Sequence, residues 1–175
     1  MLNKEKILLH VCCAPCATAC IERLLEHGRD VSLYYSNSNI NSQEEFEKRL
    51  SYVEQVAGIF DVPLFVDTYI HEDWLSHVHG LESEPEKGLR CVKCFNWSLS
   101  RTAQKANELN IPNFATTLTV SPHKISRIIF EQGNRLPGFE EWDFKKKDGF
   151  KRSKELSIQF DLYRQNYCGC EFSIR

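Results

Sequence analysis

The run Ile7-Leu8-Leu9 passes through His10-Val11 straight into Cys12-Cys13-Ala14-Pro15-Cys16, and this junction constrains the fold more than any other stretch. Residues 6–11 read as a strand buried on both faces, because the apolar run is short and does not alternate. Pro15 suits the first turn of a helix and Gly28 its end, with Ala17, Ile21, Leu24 and Leu25 as the apolar stripe between them. A buried strand feeding directly into a helix is the opening of an α/β unit. It places three thiols at a strand-to-helix junction, the ligand-binding edge of such sheets. Cys20 falls on the helical stripe and reads as a small core residue.

The rest of the chain repeats the alternation. Val31 to Tyr35 reads as a second strand, followed by the polar loop Ser36-Asn37-Ser38-Asn39-Ile40-Asn41. Ser42 and Glu45 make a capping-box pattern, and Phe46, Leu50, Val53, Val56, Ala57 and Phe60 follow at helical spacing. Pro63 to Val66 is a third strand. Residues 71–79 form a short helix whose His71, His77 and His79 read as solvated, since residues two apart do not share a helix face. Residues 80–88 are a loop, either a lid over a site or a solvated connection. Cys91 opens a long helix with Phe95, Leu99, Ala103, Ala106 and Leu109 on one face, and Cys94 lies one turn on, so both thiols can point the same way. Asn113 to Thr117 is a fourth strand, residues 124–135 a helix, Trp142-Asp143-Phe144 a fifth strand, and Ser153 to Phe160 a short helix. Alternating strands and helices favour a mostly parallel α/β sheet, and 175 residues fit one domain, 1–175.

Composition narrows the function classes. A formal net charge of −2 gives no global attraction to nucleic acid, so any such binding needs a local patch. Lys145, Lys146, Lys147, Lys151, Arg152 and Lys154 face the single acid Asp148 and offer one; the alternative is a solvated basic loop. No apolar run approaches the roughly 18 residues of a membrane span. The opening Met1-Leu2-Asn3-Lys4-Glu5-Lys6 does not read as a signal peptide. The expected compartment is the cytoplasm, with no membrane partner.

In that compartment eight cysteines speak for metal or redox chemistry rather than disulfides. All but Cys20 lie within three residues of another: Cys12/Cys13/Cys16, Cys91/Cys94 and Cys168/Cys170. Four thiolates can hold zinc or an iron–sulfur cluster. Cys91/Cys94 with Cys13/Cys16 would suit zinc. The vicinal Cys12-Cys13 is an awkward chelate for one zinc and more easily reaches two irons of a larger cluster. Cys168-Gly169-Cys170 can cycle between dithiol and disulfide or hold a second metal, Gly169 permitting the tight bend. A thiol oxidoreductase without metal and a zinc-stabilised α/β protein that binds RNA without reducing anything are the competing readings.

Four motifs together resemble the epoxyqueuosine reductases of the QueH family. They are His10-Val11-Cys12-Cys13-Ala14-Pro15; Gly80-Leu81-Glu82-Ser83-Glu84-Pro85-Glu86 leading to Arg90-Cys91-Val92-Lys93-Cys94; Thr116 to Lys124; and Tyr163-Arg164-Gln165-Asn166-Tyr167-Cys168-Gly169-Cys170. Ser38 departs from the pattern, which has proline in the loop after the second strand. The resemblance implies a Rossmann-like fold related to nucleotide-binding, HUP-like α/β proteins, here without the Gly-rich ATP loop. It implies a cytoplasmic oxidoreductase for the last step of queuosine formation, removing the epoxide oxygen of epoxyqueuosine in the tRNA anticodon loop. It also implies a 4Fe–4S cluster on Cys12, Cys13, Cys91 and Cys94, a second mononuclear iron nearby, and an external electron donor. A redox or second-metal role falls on Cys168 and Cys170, with Cys16 as a further ligand for the second metal.

Overall fold

Residues 4–174 are described by the structure, a computed structural model; the part of the N-terminal reading that rests on Met1, Leu2 and Asn3 lies outside them. In chain order the elements are β1 (Lys6–His10), α1 (Ala14–Glu26), β2 (Asp30–Tyr35), α2 (Gln43–Phe60), β3 (Leu64–Val66), α3 (His71–His77), α4 (Leu89–Glu108), β4 (Asn113–Thr116), α5 (Ser126–Gly133) and α6 (Gly149–Gln159). Short 3₁₀ turns occupy Thr117–Val120 and Glu171–Ser173.

The four strands run parallel in the order β3-β2-β1-β4. Ile7, Leu8 and Leu9 are fully buried because β1 is central and both faces are covered. Ile7, Leu9, Leu33 and Tyr35 pack with α1 and α2 on one face; Leu8, Tyr34 and Phe114 pack with α4 and α5 on the other. This is the Rossmann-like arrangement that the alternation implies. The chain leaves β1 toward β2 on one side and later returns to β4 on the other. The carboxyl ends of β1 and β4 therefore flank the crevice at which such sheets bind ligands.

The helix starts follow local chemistry. Pro15 lies in the first turn of α1, and Ser42 caps α2 by accepting from the Glu45 amide at 3.2 Å. The loop 36–41 is polar yet mostly buried, and its groups are matched: Asn37 donates to the Val11 carbonyl at 2.8 Å and Ser36 to Asp67 at 2.7 Å. Ser38, where the family pattern has proline, bonds through its hydroxyl to Thr68 O and Ile70 N and through its carbonyl to His71. Its hydroxyl thus ties the loop down by another route.

The expected fifth strand at Trp142-Asp143-Phe144 does not form. Among the described residues, the chain beyond α5 meets the sheet through one parallel bridge, Phe114 to Phe139. At 142–144 the Thr119 hydroxyl substitutes for a strand neighbour, donating to Trp142 O at 2.6 Å and accepting from Phe144 N at 3.2 Å. Trp142 stacks on Phe144, which is buried in the α1 side of the core. The last helix begins at Gly149, earlier than the apolar pattern alone suggests, with Asp148 left-handed at its cap. Among the described residues no helix is long and apolar enough to cross a membrane.

Gly149 is where the irregular segment presses on the core. A Cβ there would lie 1.7 Å from Phe144 O. Gly149→Ala should destabilise the fold by about 1–3 kcal/mol through forced displacement. Gly58→Ala, on an exposed stretch of α2 with open space around it, should stabilise it by roughly 0.5–1 kcal/mol. Urea unfolding of the two variants measures both.

Candidate metal centre

The turn from β1 into α1 carries the first group of thiols. Cys13 is the N-cap of α1, and Cys12 is pinned by Thr117, which accepts from its amide at 3.1 Å and donates to its sulfur at 3.2 Å. Thr117 comes directly after β4, so this contact joins the two strand ends that flank the crevice. His10 braces the same place from below. Its Nδ1 lies 2.9 Å from Thr116 Oγ1 and its Nε2 lies 3.2 Å from the Ser36 carbonyl. A carbonyl only accepts, so Nε2 carries the proton and Nδ1 accepts from threonine. Burial lowers the pKa of His10 and favours this neutral form.

The ligand atoms of Cys12, Cys13 and Cys16 all lie within 4.8 Å of one another. Among the described residues this is the one group of three or more potential ligand side chains so gathered. Hydrogen bonding with Cys12, then with Cys16, holds the Cys13 thiol well below its ordinary range, while hydrogen bonding with Cys12, then with Cys13, pushes Cys16 well above it. Cys20 points away, buried, with its Sγ 3.1 Å from the Cys16 carbonyl, as the apolar stripe suggests.

The second group lies at the start of α4. Cys91 Sγ accepts from the Lys87 amide at 3.3 Å. Burial raises the pKa of Cys91 and raises that of Cys94 strongly. The loop 80–88 is neither a free lid nor a solvated link along its whole length. Arg90, 2% exposed, reaches back from α4 and donates through Nη1 to the carbonyls of Leu81, Glu82 and Glu84.

The third group is on the C-terminal tail, and a second buried arginine holds it. Arg49 of α2 pairs with Glu45 at 2.7 Å and donates to the carbonyls of Cys168 and Tyr167 at 3.0 and 3.4 Å. The Asn41 amide donates to Gly169 O at 2.8 Å, and the Tyr167 hydroxyl donates to Asn41 at 2.9 Å. Gly169 has φ of +139°, and a Cβ would crowd Ile40, Asn39 and Arg49. The Cys-Gly-Cys spacing therefore depends on the glycine for both backbone angle and room.

Cys12, Cys13, Cys16, Cys91, Cys94, Cys168 and Cys170 all line one cavity of about 420 Å³ at the carboxyl end of the sheet. Cys168 is the exposed member. Lys124 lines the same cavity, and its ammonium is held strongly protonated by Cys168 first and then, against its own burial, by Cys12, Cys16 and Cys13. Lys145 supports the Lys124 loop, donating to the carbonyls of Thr119, Ser121 and Lys124 at 3.1, 3.0 and 2.6 Å. A cavity walled by sulfur and carrying a cation suits an anionic thiolate-bound metal centre. The donor set fits soft metals and iron–sulfur clusters, and it is poor in the oxygen ligands that hard cations need.

Two expectations are corrected by these positions. Lys145 is not free to meet phosphate, because its three donors are already used. Arg152 is likewise paired with Glu22 at 2.7 Å. His71 is not solvated: its Nδ1 lies 2.7 Å from Ser38 O, its Nε2 lies 3.1 Å from Glu171, and its ring stacks on Trp74. His79 is exposed, as read, whereas His77 is half-buried, its Nε2 3.1 Å from the Lys93 carbonyl and its ring against Trp97. The residue missed outright is Arg49. Its sign was a charge on an apolar stripe, three residues after Phe46 and four before Val53.

The fold and site define an α/β protein with a thiol-lined centre at the switch point of a parallel sheet. A sequence model of the family described as epoxyqueuosine reductase QueH matches residues 7–175. The chain is 39% identical to the epoxyqueuosine reductase QueH of Streptococcus pyogenes, over 98% of this chain and 71% of that protein. The proteins of that name from Acinetobacter baylyi and Thermotoga maritima are 35% and 34% identical, over 99% and 96% of this chain and 82% and 90% of theirs. The chain belongs to the QueH family of epoxyqueuosine reductases.

Arg49→Met should free the tail and strand Glu45 as a partly buried charge. The expected loss is about 3 kcal/mol, read as a lower melting temperature, together with faster proteolysis at residues 164–168 of the native protein.

Proposed function

We propose that this chain removes the epoxide oxygen of epoxyqueuosine at the tRNA wobble position, acting as one cytoplasmic catalytic unit in the last step of queuosine formation. The observation that carries the reading is the meeting of seven thiols, drawn from three distant segments, on one cavity wall. Membership of the family supplies the substrate. The reaction takes two electrons and two protons: both C–O bonds of the epoxide break, a C=C bond forms, and the oxygen leaves as water.

In this reading Cys12, Cys13, Cys91 and Cys94 hold a 4Fe–4S cluster, Cys16 serves a second mononuclear iron, and Cys168 and Cys170 either complete that iron's ligands or act as a redox dithiol. Bound there, these groups supply single electrons and Lewis acidity. The Cys168/Cys170 dithiol is a further source of two electrons, released when its S–S bond closes, and an external donor restores it. Lys124 Nζ balances the negative charge that gathers on the oxygen as the C–O bonds break. Phe150, at the cavity wall, offers a face on which an unpaired base can stack, with Lys154 Nζ 5.7 Å above its ring.

Anaerobic incubation of iron-loaded protein with epoxyqueuosine-containing tRNA and a chemical reductant, read by mass spectrometry, should show loss of one oxygen atom per modified nucleoside. No conversion by fully loaded protein would reject the activity. Stoichiometric zinc without iron after anaerobic reconstitution would reject the cluster. Cys91→Ser should lose the cluster and, because metal binding is coupled to folding, lower the melting temperature as well. Cys170→Ser should keep the cluster and lose turnover; loss of one iron in that variant assigns Cys170 to the second metal.

The phosphates are expected at the exposed cations of the cavity mouth, Lys87 and Arg164, with Lys154 beside Phe150. Lys87→Glu combined with Arg164→Glu should weaken tRNA binding. The log–log salt slope should fall by roughly 0.7 for each lost contact on single-stranded RNA, with iron content unchanged. Unaltered affinity and slope would move the tRNA to another face.

A further inference from the structure

Two N–H donors line the cavity without an acceptor. Trp74 is fully buried on α3, and its Nε1 finds no partner among the described residues; the same is true of Nε of Arg90, which is 2% exposed. A buried donor left unpaired is destabilising, and two in one cavity ask for an acceptor the bare chain does not offer. Their neighbours name it. Trp74 packs with Cys170 and Cys94 in one cluster, and the Arg90 guanidinium lies over the ring of Phe172 at the same place. A protonated thiol is a weak acceptor, whereas a metal-bound thiolate is a good one.

We infer that Trp74 Nε1–H and Arg90 Nε–H donate hydrogen bonds to sulfur on the Cys94–Cys170 side of the loaded centre and thereby raise its reduction potential. The inference rests on the iron–sulfur reading above. Hydrogen bonds to sulfur favour the more negative, reduced state, so they ease the centre's acceptance of an electron from outside. Trp74 and Arg90 are positioning residues in this role and need not touch the substrate.

Trp74→Phe keeps an aromatic ring and removes the N–H. At a fixed poise, its reduced-to-oxidised ratio should fall about three- to tenfold, tenfold being about 59 mV for one electron, with iron and sulfide content as in the parent. Trp97→Phe is the comparison, since Trp97 packs against the same cluster and its buried Nε1 also lacks a partner, but it does not line the cavity; its ratio should not move. Arg90→Lys, which keeps the charge and loses Nε, should shift the ratio in the same direction as Trp74→Phe. The reduced protein exchanged into D₂O should show by electron–nuclear double resonance a strongly coupled deuteron that Trp74→Phe lacks, the deuterons from the Thr117 hydroxyl and the Lys87 amide remaining in both. Iron present with that coupling absent, or with an unmoved potential in both Trp74→Phe and Arg90→Lys, overturns the inference alone. An unmutated protein that takes up no iron overturns the iron–sulfur reading and this inference with it.

Discussion

The guanidinium of Arg49 lies buried between α2 and the tail, with Glu45 on one side and the carbonyls of Tyr167 and Cys168 on the other. A charge in that position is tolerable only if its hydrogen bonds are met, and the tail supplies two of the acceptors. The dependence runs both ways. Without the tail, Arg49 is an under-satisfied cation in the core. Without Arg49, the Cys168-Gly169-Cys170 turn loses its main anchor to the sheet layer. The cavity's last wall is therefore tied to the stability of the α2 side of the core.

The opposite wall depends on strand order. The parallel pairing of β1 with β2 and β4 sets Thr116 beside His10, and the next residue, Thr117, meets Cys12. A slip of one residue in this pairing would turn His10 and Thr116 to opposite faces and undo both contacts. Above the strand ends, Lys145 gathers the carbonyls of the 119–124 loop and sets Lys124 against the thiols. The positive charge facing the sulfur wall thus comes from a loop held by another lysine.

Much of this was legible in the residues. Apolar periodicity marked the four strands and the main helices, because a parallel sheet covered on both faces demands continuous runs in its strands and stripes in its helices. Cysteine spacing marked the site, since clustered thiols are rarely core filler. What escaped was decided by contacts distant in sequence. Trp142-Asp143-Phe144 has a strand-like pattern, but the Thr119 hydroxyl takes its backbone bonds. Lys145 has the look of a surface charge, and three carbonyls from another loop consume it. His71 sits in a polar helix, but the tail brings Glu171 to it. Ser38 lacks the ring by which a proline would stiffen the loop, but its hydroxyl reaches Thr68 and Ile70. In each case the deciding partner lies outside the window that periodicity reads.

The exposure of Cys168 sets it apart from the other thiols of the cavity. Oxidants and alkylating reagents arriving from solvent meet it before they meet the others. Damage in air would therefore enter at the tail and work inward. The most vulnerable sulfur is also the one nearest to an outside reductant, so the same opening that admits injury admits repair.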